Sequence, residues 1–390
     1  MNKIRNFDDF IEYDRSHYVK NVILRCDLNL PTDIEDNSRI EAVRETIMKL
    51  LSMDKRIIVV AHFKRPKRED FFTEKYSLRK IADKMSHVLG LEVNFIPSNI
   101  NDLSRDSIKS RLNVLENIRF YEGEERDDDD LAKKIASFGD AYINDAFSVS
   151  HRNHMSVSAI TKYLPSFAGY SFEREILGIS RVTDNIERPF CAIIGGSKVS
   201  TKIDVLKRIS MSADYLVIAG AMANTFLKAM GHDLGNSMIE EDKIQLALEI
   251  YNNSKAKIIL PVDFMASDDI NHEGKLFDID KIPHNFSCFD IGTKSIENII
   301  KIIDKSKTLL WNGALGAFEF SNFDISSDKI SEFIARSTKK DGLISVIGGG
   351  ETIASLKNFK NDMNFVSTAG GAFLELVAGY DLPGVKALLN

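Results

Sequence analysis

The sequence predicts an α/β protein made of two doubly wound parallel-sheet (Rossmann-like) domains joined by an interdomain helix. Its 390 residues exceed what one hydrophobic core usually supports, which favours two domains. Short apolar runs alternate with segments whose apolar residues recur every three or four positions, as in amphipathic helices. The apolar runs show little polar alternation, which is typical of strands buried on both faces of a parallel sheet.

The first half contains the first set of alternating elements. The predicted strands are 21–28, 56–63, 91–96, 112–120 and 140–147. The predicted helices are 38–51, 77–90 and 130–138, with Ser38 and Ser77 as N-caps and Gly90 as a C-terminal stop. The acidic run at 122–130 is interpreted as a solvated helix start that suits the helix dipole, with metal binding as the lesser alternative.

The second half repeats the alternation. The predicted strands are 189–195, 214–220, 257–263, 308–313, 343–349 and 364–370. The predicted helices lie near 201–211, 222–230, 240–253, 294–304, 326–339 and 351–358. We expect a first domain at 1–168, a hinge helix at 169–188, a second domain at 189–377, and a C-terminal segment at 378–390 that packs back on the first domain.

Composition excludes several classes of function. The net charge of −6 provides no global basic field for nucleic acid or an anionic membrane. Cys26, Cys191 and Cys288 lack metal-binding spacing and are too few for a disulfide framework, which fits a reducing cytoplasm. The first residues are too polar for a signal peptide, and no apolar run approaches the roughly 20 residues of a membrane span. We therefore expect a cytoplasmic protein that holds small anionic ligands with local clusters of charge.

Cationic side chains follow several strands of the first half. Because the carboxyl ends of parallel strands meet at one edge of a sheet, we expect these side chains to lie together. Guanidinium groups suit a small ligand with several negative charges, although scattered surface arginines are the alternative for any one of them alone. Asp27 and Asn29 suit a hydroxyl group of the same ligand. The cations are Arg39, His62, Arg65, Arg119 and Arg152.

Three glycine-rich segments of the second half each follow an apolar run, at 191–202, 308–320 and 343–352. Each is predicted to be a strand that ends in a turn and opens a helix, an arrangement whose N–H groups bind phosphate. In the first segment, Lys198 and Lys202 are predicted to lie one helical turn apart on one face. The segment matches neither GxxxxGK[ST] nor GxGxxG, so neither a P-loop nor a dinucleotide-binding fingerprint is supported.

The other two segments carry polar groups suited to a nucleotide. Glu351 follows three glycines at a helix start, where its carboxylate suits a magnesium ion that bridges phosphates, with a capping acid as the alternative. The neighbouring Thr352 hydroxyl is expected to reach a phosphate oxygen. Asn312 is suited to donate to a phosphate oxygen, and Glu319 to accept from ribose hydroxyls.

The motifs of common hydrolases and metalloenzymes are missing from the sequence. It has no HExxH or CxxC motif and no Ser/His/Asp arrangement. Phosphoryl transfer to a carboxylate needs none of them, because a carboxylate is already deprotonated at neutral pH. Catalysis then depends on positioning and on neutralising charge.

Taken in order, nine sequence blocks resemble phosphoglycerate kinases over essentially the whole chain. They include RCDLNLP (25–31), AHFKRPK (61–67), RPFCAIIGGSKVSTKI (188–203), LLWNGALGAFEF (309–320) and VIGGGET (346–352). The family transfers a phosphoryl group reversibly between 1,3-bisphosphoglycerate and ADP, with magnesium. The resemblance implies a monomeric enzyme of glycolysis and gluconeogenesis, with these small molecules as its partners and with hinge closure that excludes water from the acyl phosphate.

The resemblance also implies roles by position. It implies that the glycerate ligand is held by Asp27, Asn29, Arg39, His62, Arg65, Arg119 and Arg152. It implies that the nucleotide is held by Lys198, Lys202, Asn312, Glu319, Gly348, Gly349, Gly350, Glu351 and Thr352. Arg39, Lys198, Gly349 and Gly371 are implied to be catalytic, and Glu351 is implied to lie near the metal.

Several residues depart from the family pattern. Glycine is usual where this chain has Lys64, Ser148 and Ala369, proline is usual at Ala314, and aspartate is usual at Thr201 and Glu351. Lys64 bears on the path of the loop beside Arg65, because glycine is often used for a positive φ. Glu351 is one methylene longer than aspartate, so the metal must shift or gain a bridging water. Since every ligand-facing charge is present, activity is expected.

Two other functions are alternatives to this one. A catalytically inactive binding protein on the same fold should have lost ligand-facing cations, and none is missing. A nicotinamide-dependent dehydrogenase needs a GxGxxG turn with an acid about 20 residues later, and neither half has one.

Overall fold

The computed structural model describes residues 4–30, 36–97, 99–108 and 110–389. Contacts divide the chain into two compact units. Unit 1 comprises Met1–Ile176 with Asp381–Asn390, and unit 2 comprises Leu177–Tyr380. Each unit contains a six-stranded sheet whose strand pairs are all parallel, so the predicted α/β class is confirmed. The division between the units falls within the helix predicted at 169–188.

Unit 1 is an α/β layer structure in which strand order differs from chain order. Its elements are α1 (Phe7–His17), β1 (Asn21–Cys26), α2 (Ser38–Ser52), β2 (Arg56–Ala61), α3 (Arg79–Leu89), β3 (Asn94–Ile96), β4 (Leu112–Leu115), α4 (Asp129–Ala136), β5 (Ala141–Asp145), β6 (Ser166–Ala168) and the start of α5 (Tyr170–Thr183). The sheet order is β3-β4-β2-β1-β5-β6.

Alternating side chains of the central strands build two hydrophobic layers in unit 1. Val22 and Leu24 of β1 pack in a cluster with side chains of α1, α2 and α3. Ile23 faces the opposite layer, which contains Ile135 of α4. Because both faces of these strands are buried, their sequences are apolar without alternation, as predicted.

The helix ends in unit 1 agree with some of the predicted capping residues and not with others. Gly90 ends α3 with φ +68°, which confirms the predicted stop. Asp128 caps α4 by accepting from the Leu131 N–H at 2.8 Å, so the end of the acidic run does open a helix. Ser38 and Ser77 are not N-caps, because α2 and α3 begin at Ser38 and Arg79, with Asn37 and Leu78 in the N-cap positions.

Unit 2 follows with a second parallel sheet and a small antiparallel one. Its elements are β7 (Phe190–Ile194), α6 (Ile203–Ser212), β8 (Tyr215–Ile218), α7 (Ala221–Ala229), α8 (Ile244–Asn253), β9 (Lys257–Ile259), β10 (Asp263–Ser267), β11 (Lys275–Asp278), β12 (Ser287–Ile291), α9 (Thr293–Asp304), β13 (Thr308–Asn312), α10 (Ile325–Lys340), β14 (Ile344–Gly348), α11 (Gly350–Ser355), β15 (Phe365–Ser367) and α12 (Gly371–Val377). The parallel order is β15-β14-β13-β7-β8-β9, and the antiparallel order is β11-β10-β12.

The antiparallel sheet corrects the prediction of one strand at 257–263. Pro261 interrupts that apolar run, and proline cannot donate a hydrogen bond to a sheet. β9 therefore ends at Ile259, and β10 starts at Asp263 in a different sheet. The segment 308–320 also differs from its prediction, because β13 is followed by turns and α10 begins only at Ile325. Helix α1 and strands β6, β11 and β12 were not predicted.

The C-terminal segment returns to unit 1. It contains a short helix, α13 (Pro383–Lys386). The Gly384 N–H donates to the Ser150 carbonyl at 2.9 Å, and the Arg5 N–H donates to the Leu388 carbonyl at 2.8 Å. These bonds attach the segment to both a loop after β5 and the residues before α1.

Replacing Gly178 with alanine should destabilise unit 2, although alanine is the better helix former. A Cβ on this residue of α5 would lie 2.4 Å from ring carbons of Phe365. Overpacking of this kind costs about 1–3 kcal/mol, against a gain of about 1 kcal/mol in helix propensity. Urea unfolding should show that the free energy of unfolding falls by about 1 kcal/mol relative to wild type.

Leu177→Ala is the matched control in the same helix. The Leu177 side chain is 63% exposed, so the change should alter the free energy of unfolding by less than about 0.5 kcal/mol. Equal stabilities of the Gly178→Ala and wild-type proteins would contradict the close packing of α5 on β15.

Candidate active site

The predicted cationic cluster of unit 1 lies at the carboxyl edge of its parallel sheet. β1 pairs with β2 and β5, and β2 pairs with β4, so four strand ends lie side by side. Asp27 follows β1, His62 follows β2, and Arg152 lies in the turns after β5. Arg119 was predicted to follow a strand directly, but β4 ends at Leu115 and Arg119 lies in a 3₁₀ turn at 118–120.

His62 is a neutral imidazole within this cluster. Burial lowers its pKa well below the usual value, and the charges of Arg25, Arg119, Arg152 and Arg39 lower it further. Arg25 Nη2 lies 3.2 Å from His62 Nδ1. Because a guanidinium only donates, Nδ1 is the acceptor and Nε2 carries the proton. His62 can therefore donate from Nε2 to an anionic ligand.

Arg25 is the main residue of this site that the sequence interpretation missed. Its side chain is 1% exposed, and its Nε donates to the Ser156 hydroxyl at 2.8 Å. That hydroxyl donates in turn to the buried Glu124 carboxylate at 2.7 Å. Burial raises the pKa of Glu124, but the His154 hydrogen bond and the Arg25 charge bring it below the usual value. An arginine inside the apolar run of β1 was the available signal.

Asp27 connects three parts of the cluster. Its carboxylate forms an ion pair with Arg39 and accepts a hydrogen bond from the Ser148 hydroxyl. Asp27 Oδ1 also accepts from the Asn29 N–H at 3.1 Å. Asn29 Oδ1 accepts from the Lys64 N–H at 2.8 Å, which ties the loop after β1 to the loop after β2. Ser148, which departs from the family pattern, thus adds a bond to a predicted ligand-binding carboxylate.

The remaining arginines repel one another. Burial, followed by the charge of Arg152, lowers the pKa of Arg119 to about 10. Burial, followed by the charge of Arg65, lowers the pKa of Arg152. Arg119 donates to the Lys64 carbonyl, while its buried Nε has no hydrogen-bond partner among the described residues. An anion bound here would relieve this repulsion, because an opposite charge stabilises each cation.

Lys64 occupies a backbone conformation that favours glycine. Its φ is +54°, in the left-handed region. The backbone N–H and carbonyl of Lys64 are bonded to Asn29 and Arg119, so the cluster itself holds this conformation. The expectation that the position suits glycine agrees with this geometry.

Unit 2 contains an open cleft of about 450 Å³ at the carboxyl edge of its parallel sheet. The turns after β7, β8 and β13 line one side through Gly196, Gly220 and Ala314. Strands β10 and β12 line the other side with mostly apolar groups, including Phe264 and Cys288. The cleft therefore combines a backbone-rich wall with an apolar wall, which suits a ligand that has both a polar end and a flat ring.

The glycines of this wall allow the strand ends to approach closely. A Cβ on Gly195 would lie 2.1 Å from the Ala314 carbonyl oxygen. Gly313 has φ +97°, and a Cβ there would lie 2.2 Å from the Gly195 carbonyl oxygen. The Gly196 N–H donates to the Ala314 carbonyl at 2.8 Å. Only glycine fits at these positions, so the first two glycine-rich segments form one compact surface.

Lys198 and Lys202 do not lie on one helical face, contrary to the prediction. α6 starts at Ile203, so both lysines belong to the turn before it. Lys198 is exposed. Lys202 instead folds under the turn, where its Nζ donates to the Gly195 carbonyl at 2.8 Å. Burial lowers the pKa of Lys202 to about 8, while the charge of Glu351 opposes this shift.

Asn312 and Thr352 join the ends of β13 and β14. Asn312 Nδ2 donates to the Gly348 carbonyl at 2.6 Å. The Thr352 hydroxyl donates to the same carbonyl at 2.9 Å and accepts from the Gly313 N–H at 2.6 Å. Both side chains are buried and make these bonds within the protein. The donors of both side chains are therefore already used in bonds within the protein.

The predicted acidic residues lie on the cleft. Glu319 and Glu351 are both exposed and both line it. Gly349, with φ +100°, precedes α11, whose first turn contains Gly350 and Glu351. Gly371 is the first residue of α12.

The other departures from the family pattern have local partners. The Thr201 hydroxyl donates to the Lys198 carbonyl at 2.9 Å. The Ala369 N–H donates to the Ser367 hydroxyl at 3.3 Å. Ala314 lines the cleft through the turn described above.

Comparison with known proteins identifies the family. A family model described as phosphoglycerate kinase matches residues 14–380. The chain belongs to the phosphoglycerate kinase family. A phosphoglycerate kinase of Chelativorans sp. is 41% identical over 383 residues, which cover 95% of this chain and 96% of the relative. A protein named "Phosphoglycerate kinase, cytosolic" from Triticum aestivum is 39% identical over 385 residues, which cover 95% of each chain.

Solved structures agree with this membership. The phosphoglycerate kinase of Coxiella burnetii has a TM-score of 0.87 and 32% identity, covering 95% of this chain and 96% of its own. The phosphoglycerate kinase of Pyrococcus horikoshii has a TM-score of 0.81 and 30% identity, with the same coverage. The family predicted from the sequence motifs is confirmed, and nothing in these comparisons supports the inactive alternative.

Two features are absent from the part of the chain that the structure describes. No group of three or more His, Cys, Asp or Glu side chains is arranged there to hold a metal ion. No helix in that part is long and apolar enough to cross a membrane.

Lys64→Gly should stabilise unit 1. An L-residue in the left-handed region costs about 1 kcal/mol, which glycine avoids, although glycine makes the unfolded chain more flexible. We expect a net gain of about 0.5 kcal/mol in the free energy of unfolding, measured by urea titration. Lys67→Gly, at an exposed residue with φ −84°, should instead lower stability. A loss of stability in both variants would contradict the backbone strain assigned to Lys64.

Lys202 should make stability depend on alkaline pH. Its folded pKa, about 8, lies below the ordinary lysine value of 10.5, so the unfolded chain binds more protons between these values. The contribution of Lys202 to stability therefore rises with pH from about 8 to 10.5. Between pH 7 and 10, the wild type should therefore gain stability relative to Lys202→Met, measured as the difference between their free energies of unfolding. Parallel pH profiles of the two proteins would contradict the burial of this ammonium.

Proposed function

We propose that this chain catalyses the reversible, magnesium-dependent transfer of a phosphoryl group between 1,3-bisphosphoglycerate and ADP, giving 3-phosphoglycerate and ATP. The observation that carries the proposal is the cationic cluster of unit 1, in which arginines surround a neutral histidine beside Asp27 and Asn29. Its charge suits a small ligand with an anionic group at each end. The family match supports the same reaction.

The glycerate ligand is assigned to unit 1. We assign its anionic groups to Arg65, Arg119 and Arg152, because these cations repel one another, and to neutral His62, which can donate from Nε2. We assign its hydroxyl to Asp27 and Asn29. We assign Arg39 both to the ligand and to the charge that develops on the transferring group, since its side chain is 32% exposed.

The nucleotide is assigned to the cleft of unit 2. Its apolar wall suits the base, Glu319 suits the ribose hydroxyls, and the Gly348–Gly350 turn with Lys202 suits the phosphates. Lys198 is assigned to the transferring phosphoryl group because it is an exposed cation in the turn that follows β7. Gly349 and Gly371 are assigned to the same group through their backbone N–H groups.

Asn312 and Thr352 receive a supporting role in this proposal. Their side-chain donors are already bonded to the Gly348 carbonyl. We therefore assign them to shaping the phosphate-binding turn rather than to direct contact with a phosphate oxygen.

The donor chemistry of the cleft fits magnesium. Mg²⁺ is commonly held by one or two carboxylates together with nucleotide phosphates and water, rather than by a cage of protein ligands. Glu351 is an exposed carboxylate at the start of α11 and acts electrostatically on Lys202. When bound, the ion neutralises phosphate charge.

The proposed chemistry requires no general base. A carboxylate oxygen of 3-phosphoglycerate bonds to the γ-phosphorus of ATP while the bond from that phosphorus to the β,γ-bridging oxygen breaks. The electron pair of the broken bond leaves with ADP, and no proton moves. The cations of both sites hold the reacting oxygens and stabilise the charge on the transferring group.

Direct transfer requires ligands held by two units to meet during turnover. We propose that a hinge near 165–188 permits this and that closure excludes water from the acyl phosphate. We further propose a cytoplasmic location, which is supported by the free cysteines and by a relative named as cytosolic. We also propose that the protein is a monomer.

A coupled assay tests the proposal. ATP and 3-phosphoglycerate are supplied with a dehydrogenase that reduces 1,3-bisphosphoglycerate and oxidises NADH. We expect NADH consumption with Mg²⁺ and its loss with excess EDTA. Binding of both ligands by calorimetry without turnover would instead identify the inactive alternative.

Arg39→Ala and Lys198→Ala should separate the two sites. Each should lower kcat by about 10²-fold or more, because each removes a positive charge that stabilises the transferring group. Arg39→Ala should leave nucleotide affinity nearly unchanged, and Lys198→Ala should leave 3-phosphoglycerate affinity nearly unchanged, both measured by calorimetry. Unchanged turnover in Arg39→Ala, or lost 3-phosphoglycerate binding in Lys198→Ala, would contradict these assignments.

A further inference from the structure

Lys198 lies in a turn that no helix fixes. The residues from Gly196 to Lys202 precede α6, so the regular hydrogen bonds of a helix do not set the position of Lys198. Several internal contacts hold the two ends of the turn. The Gly196 N–H donates to the Ala314 carbonyl at 2.8 Å, the Lys202 N–H donates to the Val199 carbonyl at 3.0 Å, and the Thr201 hydroxyl donates to the Lys198 carbonyl at 2.9 Å. None of these bonds involves exposed Ser200.

Glu240 supplies the missing outer contact. Its Oε2 accepts from the Ser200 N–H at 3.1 Å, and its Oε1 accepts from the Ser200 hydroxyl. One carboxylate thus binds the backbone and the side chain of the same residue. Such bonds to an ionised acceptor are roughly twice as strong as neutral ones.

Glu240 is itself held in place by the core of unit 2. Its N–H donates to the Thr225 hydroxyl at 3.1 Å, and Thr225 is 1% exposed within α7. The chain of contacts therefore runs from buried α7 through Glu240 to Ser200, two residues from Lys198. It provides a fixed support for a turn that otherwise carries an exposed lysine.

We propose that Glu240 is a positioning residue for phosphoryl transfer, which holds the Ser200 side of the turn so that Lys198 is presented in one place. This inference rests on the proposed role of Lys198. A misplacement of about 1 Å at a reacting group can cost up to about 10²-fold in rate. Glu240 acts through the turn and is not assigned any contact with substrate.

Three variants test the inference in the coupled assay. Glu240→Ala removes both acceptors and should lower kcat about tenfold, with the KM for 3-phosphoglycerate within about twofold of wild type. Glu240→Gln keeps one acceptor for the N–H and can donate to the Ser200 hydroxyl, so it should recover kcat to within about threefold. Glu241→Ala removes the neighbouring exposed carboxylate and should leave kcat unchanged.

The outcomes separate this inference from the proposed function. Thermal unfolding of each variant should show midpoints close to wild type, which excludes general loss of structure. A wild-type kcat in Glu240→Ala, a failure of Glu240→Gln to recover kcat, or a rise in the KM for 3-phosphoglycerate instead of a fall in kcat would overturn the positioning role. Lys198→Ala, assayed in parallel, tests the other premise, because full activity in that variant would overturn the role of Lys198 itself.

Discussion

The close approach of like charges at the carboxyl edge of the unit 1 sheet is the constraint on which that site depends. Because β1, β2, β4 and β5 pair in parallel, the loops that follow them lie together at the same edge of the sheet. The cations on those loops are partly desolvated, which weakens their interaction with water and strengthens their mutual repulsion. The protein offsets this cost with Asp27 on one side and buried Glu124 beneath. His62 stays neutral, so it adds a donor without adding charge.

Unit 2 has the same parallel-sheet geometry as unit 1, but its cleft is formed mainly by backbone groups. Its strand ends carry few charges, and the cleft depends on backbone groups that approach each other within ordinary hydrogen-bond distance. Gly195 and Gly313 make that approach possible, and Lys202 places its ammonium beneath the turn they form. The two units thus use side-chain charge and backbone dipoles, respectively, as their main means of holding anions.

The sequence predicted the parallel sheets well because their strands are buried on both faces and have little polar alternation. It predicted the location of the cationic cluster for the same reason, since strand ends in a parallel sheet converge. Strand β10 was missed because the run 257–263 resembles one strand although Pro261 divides it. Strands β11 and β12 were missed because they are short, only partly buried and not uniformly apolar. The hidden partners were also missed: no pattern shows that the Thr352 hydroxyl bonds the Gly348 carbonyl, or that Arg25 fixes the tautomer of His62. Those contacts depend on residues far apart in the chain.

The single tryptophan gives unit 2 an optical signal that unit 1 lacks. Trp311 lies at the end of β13, is fully buried, and donates its indole N–H to the Gly313 carbonyl at 2.9 Å. Gly313 belongs to the same glycine turn that contacts Gly195 and Thr352. Emission excited at the red edge of the indole band therefore comes from unit 2 alone. Its wavelength follows the polarity next to the glycine turn, so it reports on the surroundings of that turn within unit 2.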